Sequence, residues 1–158
     1  MLSIQAVDKT GKILTIPSSK IKFIYRGNNL DKDLIFLSAS FKGMLEDQNV
    51  IQKNINLLKN KKDQSQPTKI KTGGSTFKNP KNQTKEKVWE LISKSVPLDT
   101  KFGDAEISQK HCNFFVNKNN ATFRDMKNLI DFVKQKVKSK TGIDIETEIE
   151  VIEWKKKL

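Results

Sequence analysis

The chain has 158 residues, enough for one domain or for one domain with part of another. Its 35% hydrophobic share is low, so it can form a core but not a large one. A net charge of +12 points to an anionic partner: nucleic acid, a membrane surface or a phosphorylated ligand.

In chain order, residues 2–7 and 12–16 read as two strands around the turn Lys9-Thr10-Gly11. Phe23-Ile24-Tyr25-Arg26 follows, then the turn cluster Gly27-Asn28-Asn29. Residues 34–42 alternate as a third strand. Residues 48–62 have helical spacing, with Val50, Ile51, Ile55 and Leu58 on one face and Asp47 as N-cap. The polar run 59–67 ends in proline, which gives an expected organisation of 1–62, a linker at 63–67, and a second domain at 68–158.

In that second domain, residues 68–72 are expected as a strand leading into a glycine turn. A helix is expected over 84–95, with Val88, Leu91 and Ile92 inward and Trp89 packing beside them. Short strands follow at 106–108 and 113–116. Thr122 and Asp125 form a capping box ahead of a helix whose stripe is Phe123, Met126, Leu129, Ile130, Val133 and Val137, and Gly142 ends it. Period-two alternation over 143–153 predicts a closing strand. The expected class is α+β, in the order β-α-β-β-α-β with helices on one face.

Three segments stand out: Gly73-Gly74-Ser75-Thr76-Phe77-Lys78-Asn79-Pro80, then Ser108-Gln109-Lys110-His111-Cys112-Asn113-Phe114-Phe115-Val116-Asn117, then Thr147-Glu148-Ile149-Glu150-Val151-Ile152. With Gln66-Pro67 and the FIYR segment, they resemble in order and spacing the C-terminal part of the UDP-N-acetylenolpyruvoylglucosamine reductase (MurB) family. That family's pattern includes FxYR, GSxFKNP and GxAxxSxKHxxFxxN. The resemblance implies a C-terminal substrate-binding domain preceded by a partial FAD-binding domain, with no counterpart of the family's first FAD lobe. It implies an oxidoreductase of peptidoglycan synthesis that reduces UDP-N-acetylglucosamine enolpyruvate to UDP-N-acetylmuramate, with FAD as cofactor and NADPH as reductant. A separately encoded FAD lobe is the implied partner.

The resemblance also assigns roles. Ser75 matches the proton donor, although local sequence by itself favours a turn serine bonding its own backbone. Glu148 matches a glutamate that orients the enolpyruvyl group, one of three carboxylates on that face with Glu146 and Glu150. Arg26 matches an arginine suited to grip a carboxylate in two hydrogen bonds, and the alternative is a surface arginine. Tyr25 lines flavin or nucleotide, or packs in a core. Asn79 matches a hydrogen-bonding contact to the UDP-sugar, and Lys78 a contact to diphosphate or solvent. Lys69 and Lys71 carry no specific signal. The chain departs from the family at Asp104 and Asn113, where glycine is common, and at Lys62, where arginine is common.

Other chemistry is thin. One His111 and one Cys112 cannot build a metal site by themselves, and Ser75 lacks a nucleophile-elbow sequence. Arg26 and Arg124 are the only arginines, which argues against nucleic-acid readout. The lysine, asparagine and isoleucine bias fits AT-rich coding. No apolar run reaches the ~18 residues of a membrane helix, the start lacks a signal-peptide core, and a lone cysteine forms no internal disulfide. A cytoplasmic protein is expected. The alternatives are an inactive remnant of the enzyme and a basic anion- or nucleic-acid-binding module.

Overall fold

A computed structural model of the chain describes residues 1–152. Its contacts divide it into two units, Met1–Ile51 and Gln52–Leu158.

The first unit is built on an antiparallel sheet of order β2-β1-β5, from β1 (Ser3–Val7), β2 (Ile13–Pro17) and β5 (Ile35–Ser40). The expected hairpin forms, with Val7 opposite Ile13. Its turn closes because Gly11 takes φ +84° and the Asp8 carboxylate accepts from the Thr10 and Lys12 amides and the Thr10 hydroxyl. Those bonds, the Thr10 hydroxyl foremost, hold the Asp8 carboxyl below its usual range. Ile4 and Ala6 of β1 are buried, whereas every residue of β5 is exposed.

Between β2 and β5 lies a small hairpin of β3 (Phe23–Ile24) and β4 (Gly27–Asn28). The expected turn cluster at 27–29 is therefore displaced. Tyr25 and Arg26 make the turn, and Gly27-Asn28 is its returning strand. The cause is Arg26, which adopts φ +57° and reverses the chain two residues early.

Helix α1 (Gln48–Ser65) is capped by Asp47, whose carboxylate accepts from the Asn49 and Val50 amides. It runs into the stretch expected as linker, because residues 63–65 still favour helix and only Pro67 disfavours helix at Gln66. Its expected apolar face, with Val50, Ile51, Ile55 and Leu58, is exposed.

The second unit holds a four-stranded antiparallel sheet of order β6-β9-β8-β7. Its strands are β6 (Lys71–Ser75), β7 (Lys101–Phe102), β8 (Ala105–Ile107) and β9 (Phe114–Asn117). Helices α2 (Val88–Ser95) and α3 (Phe123–Thr141) complete it, giving an α+β arrangement. The core joins Leu91 and Ile92 of α2, Leu129, Val133 and Val137 of α3, and Ala105, Ile107 and Phe115 of the sheet. Because neighbouring strand residues point to opposite faces, Phe114 falls on the face away from the helices.

Helix α3 is as expected: Thr122 accepts from the Asp125 amide, Asp125 answers to the Thr122 amide, and Gly142 takes φ +73°. One stripe member differs, since Phe123 at the first position is 54% exposed. Helix α2 starts at 88 rather than 84. Its capping interactions sit at Lys87 and Val88, and Thr84 instead closes a turn by accepting from the Glu86 amide. Trp89, expected to pack, is 46% exposed.

Two expectations fail in instructive ways. The glycine turn is a bulged strand: Gly73 and Gly74 of β6 together oppose Phe115 of β9, and Gly74 takes φ +90°. The closing strand forms no ladder over residues 143–152, and residue 153 lies outside the described residues. Burial does alternate there, with Ile145 inward and Asp144 and Glu146 exposed. Among the described residues its one partner backbone is the short run 76–78, so pairing stops at a single bridge, Phe77 opposite Thr147.

Candidate functional site

A concave cleft of about 760 Å³ lies within the second unit. Ser75, Gly73 and Gly74 from β6, Phe114 from β9, Glu148 from the bridged C-terminal segment and Lys62 from α1 all line it. Ser75 and Glu148 thus share one cavity although 73 positions separate them in the chain. What joins them is backbone pairing: the Glu148 amide donates to Thr76 O at 2.8 Å, and the Lys78 amide to Glu146 O at 2.9 Å.

The bulge that presents Ser75 is held by Thr72. Its hydroxyl donates to Phe115 O at 2.8 Å and accepts from the Gly74 amide at 3.2 Å. No atom lies within 4 Å of where a Cβ on Gly74 would stand, so a ligand can approach that backbone closely.

Behind Ser75, Asn113 is 4% exposed and pairs with Phe77 as a peptide group would. Its Oδ1 accepts from the Phe77 amide at 3.0 Å, its Nδ2 donates to Phe77 O at 3.0 Å, and its own carbonyl accepts from the Thr76 amide at 2.7 Å. Phe77 is buried, and leaving either backbone group unpaired would cost about 1–3 kcal/mol. The sequence flagged Asn113 only as a departure from a glycine pattern. A polar residue ahead of the apolar run Phe114-Phe115-Val116 is the one signal that could have found it. Asp104, the other departure, accepts from the Asn120 amide through its carboxylate and from the Lys118 amide through its carbonyl.

The remaining sequence-derived residues fall as follows. Asn79 Oδ1 accepts from the Val88 amide at 2.9 Å, which ties the KNP turn to the start of α2. Lys78 pairs with Glu146 at 3.5 Å in an exposed ion pair. Lys69 and Lys71 are exposed. Arg26 and Tyr25 belong to the other unit, where the guanidinium stacks 5.3 Å from its neighbour's ring.

His111 and Cys112 line a separate, smaller hollow with Trp89 and Leu98. Burial pushes the imidazole pKa down, so His111 is neutral and its Nδ1 accepts from the Asn113 amide at 3.2 Å. Burial pushes the Cys112 thiol up, and its Sγ donates to Trp89 O at 3.1 Å. That environment suits a packed thiol, not a nucleophile. Among the described residues no group of three His, Cys, Asp or Glu side chains could hold a metal, and no helix is long and apolar enough to cross a membrane.

The second unit is thus an α+β domain with a hydroxyl and a carboxylate brought together in one open cleft, room enough for a small molecule. The family described as UDP-N-acetylenolpyruvoylglucosamine reductase, C-terminal domain, matches residues 66–152, and the chain belongs to that family. The UDP-N-acetylenolpyruvoylglucosamine reductase of Pelagibacter ubique is 61% identical over 152 residues, 96% of this chain and 50% of that protein. The protein of the same name from Rickettsia prowazekii is 43% identical over the same shares. The chain spans about half the length of the curated relatives it matches. A crystal structure of the MurB reductase from Thermus caldophilus has the same fold, with a TM-score of 0.75 at 24% identity over 95% of this chain and 52% of that one.

Proposed function

We propose that the chain forms the substrate-binding and proton-donating part of a flavin-dependent reductase that converts UDP-N-acetylglucosamine enolpyruvate to UDP-N-acetylmuramate at the expense of NADPH. The observation that carries this reading is the shared cleft of Ser75 and Glu148. In it, one carbon of the substrate's enolpyruvyl double bond lies against the Ser75 hydroxyl, and Ser75 Oγ gives that carbon the proton that balances a hydride added to its neighbour. A free serine is a poor acid, so the alkoxide it leaves needs donors close by. Glu148 orients the enolpyruvyl group, and Arg26 takes its carboxylate through two hydrogen bonds. Tyr25 lines the ligand beside Arg26, Asn79 anchors the sugar nucleotide, and Lys78 faces the diphosphate. The excess of lysine draws the anionic ligand, charged at both its diphosphate and its carboxylate, inward.

The open backbone at Gly74 suits the reacting end of a planar cofactor. When bound, FAD reduced by NADPH would supply hydride there. Its diphosphate would be held by an N-terminal FAD lobe, as a separate polypeptide or an upstream segment. The enzyme would work in the cytoplasm, on a precursor of the cell wall.

The test is complementation. The chain is mixed with the FAD lobe of the 61%-identical relative, and NADPH oxidation is followed with and without UDP-N-acetylglucosamine enolpyruvate. Substrate-dependent oxidation that needs both polypeptides supports the reading. Oxidation that ignores the substrate overturns it. Steeply salt-dependent binding of nucleic acid in its place would favour a basic binding module.

A further inference from the structure

We propose that Asn113 is a positioning residue, setting the height of Ser75 and the direction of Asn79 through the backbone of the strand between them. The inference rests on the function proposed above. Three observations carry it.

First, the run from Ser75 to Asn79 holds both functional side chains, yet regular pairing covers only its start: Ser75 opposes Phe114, and the β9 ladder ends there. Second, the Asn113 side chain adds the missing rung, giving Phe77 both a donor and an acceptor. On its other side the run is bridged to residues 146 and 148. It is thus clamped between a side-chain amide and the segment that bears Glu148. Third, Asn113 is itself held. Its backbone N–H donates to His111 Nδ1, and the His111 ring packs edge-on against Phe114, which lines the cleft.

A substrate-facing serine displaced by about an ångström loses on the order of a hundredfold in rate, so a clamp this close to Ser75 bears on catalysis without touching substrate. Only an amide fits. Asn113→Asp would keep an acceptor for the Phe77 amide but set a carboxylate oxygen against Phe77 O, and Asn113→Ala would leave both groups unpaired in the core.

The test has two arms. In the chain itself, amide hydrogen exchange is read at Phe77 and at Leu129. Asn113→Ala is expected to speed exchange at Phe77 at least about tenfold while leaving Leu129 unchanged, with Asn113→Asp in between. Equal acceleration at both amides would mean a loss of overall stability, and would overturn the inference. In the complemented reductase, Asn113→Ala is expected to slow reoxidation of the flavin by substrate by roughly ten- to a hundredfold while its reduction by NADPH keeps its rate. Equal slowing of the two half-reactions would also overturn it. If the unsubstituted assembly never turns over, the function proposed above fails and the catalytic part of this inference falls with it. The exchange arm then still decides whether Asn113 sets the strand.

Discussion

The two units of the chain differ in what holds them together. The second encloses a core in which Leu91, Leu129, Val133 and Val137 are fully buried, and its cleft rests on that core. The first buries chiefly Ile4, Ala6 and Ile21, while Phe36, Leu37, Phe41 and Leu45 stand exposed. A domain that buries little apolar surface has little to set against the entropy of ordering its chain. Ser75 and Glu148 therefore sit on the unit with the larger buried core, and Arg26 sits at the turn of a two-strand hairpin in the unit that buries less.

The largest expected effect sharpens that division at the level of chemistry. Ser75→Ala in the complemented reductase should slow flavin reoxidation by substrate about 10²- to 10⁴-fold, with little change in the KM for substrate. Arg26→Ala should act mainly through that KM. Stopped-flow flavin absorbance checks both, and a pure KM effect at Ser75 would break the assignment.

Next come the cores. Leu91→Ala should cost about 2–5 kcal/mol of unfolding free energy in urea. Phe36→Ser, in the exposed strand, should stay within about 0.5 kcal/mol and reduce self-association, because it blunts an apolar sheet edge. Similar losses at the two positions would show that the first unit packs as firmly as the second.

The smallest effect is acid sensitivity. Among the described residues, a carboxyl in each unit is held below its ordinary value near 3.8, Asp8 by the Thr10 hydroxyl and the turn amides, Asp125 by the backbone and hydroxyl of Thr122. A depressed folded pKa adds stability that is complete above the ordinary value and is lost as pH falls below it, toward the folded value. Asp125→Asn should flatten the acid limb for α3 amides and leave β1 and β2 unchanged. Asp8→Asn should do the reverse. NMR titration of the amides checks this, and a shift of both units by either variant would break their independence.

Much of this was legible locally. The Thr122–Asp125 box, the Gly142 stop and the β1–β2 hairpin are decided by neighbours within a few residues, and sequence carries such signals well. The failures concern distant partners. Residues 143–152 alternate as a strand should, but their partner among the described residues is the run 76–78, and nothing near them reveals that. The paired glycines read as a turn because a turn and a bulge demand the same dihedrals. Within the candidate site, Ser75 and Glu148 are singled out only by the resemblance to a family motif, and Thr72 and Asn113 not even by that. Their work is a hydrogen bond to backbone 43 or 36 positions away, and a threonine or an asparagine by itself advertises no such partner.

Arg26 turns its hairpin in a conformation that glycine reaches freely and that costs an L-residue roughly 1–2 kcal/mol. Folding and the substrate contact proposed for Arg26 therefore pull on this codon in opposite directions. A library of this chain sorted for expression or heat resistance alone would enrich glycine at position 26. It would return well-behaved proteins stripped of the one guanidinium in the hairpin, so any improvement campaign needs a ligand in the selection from its first round.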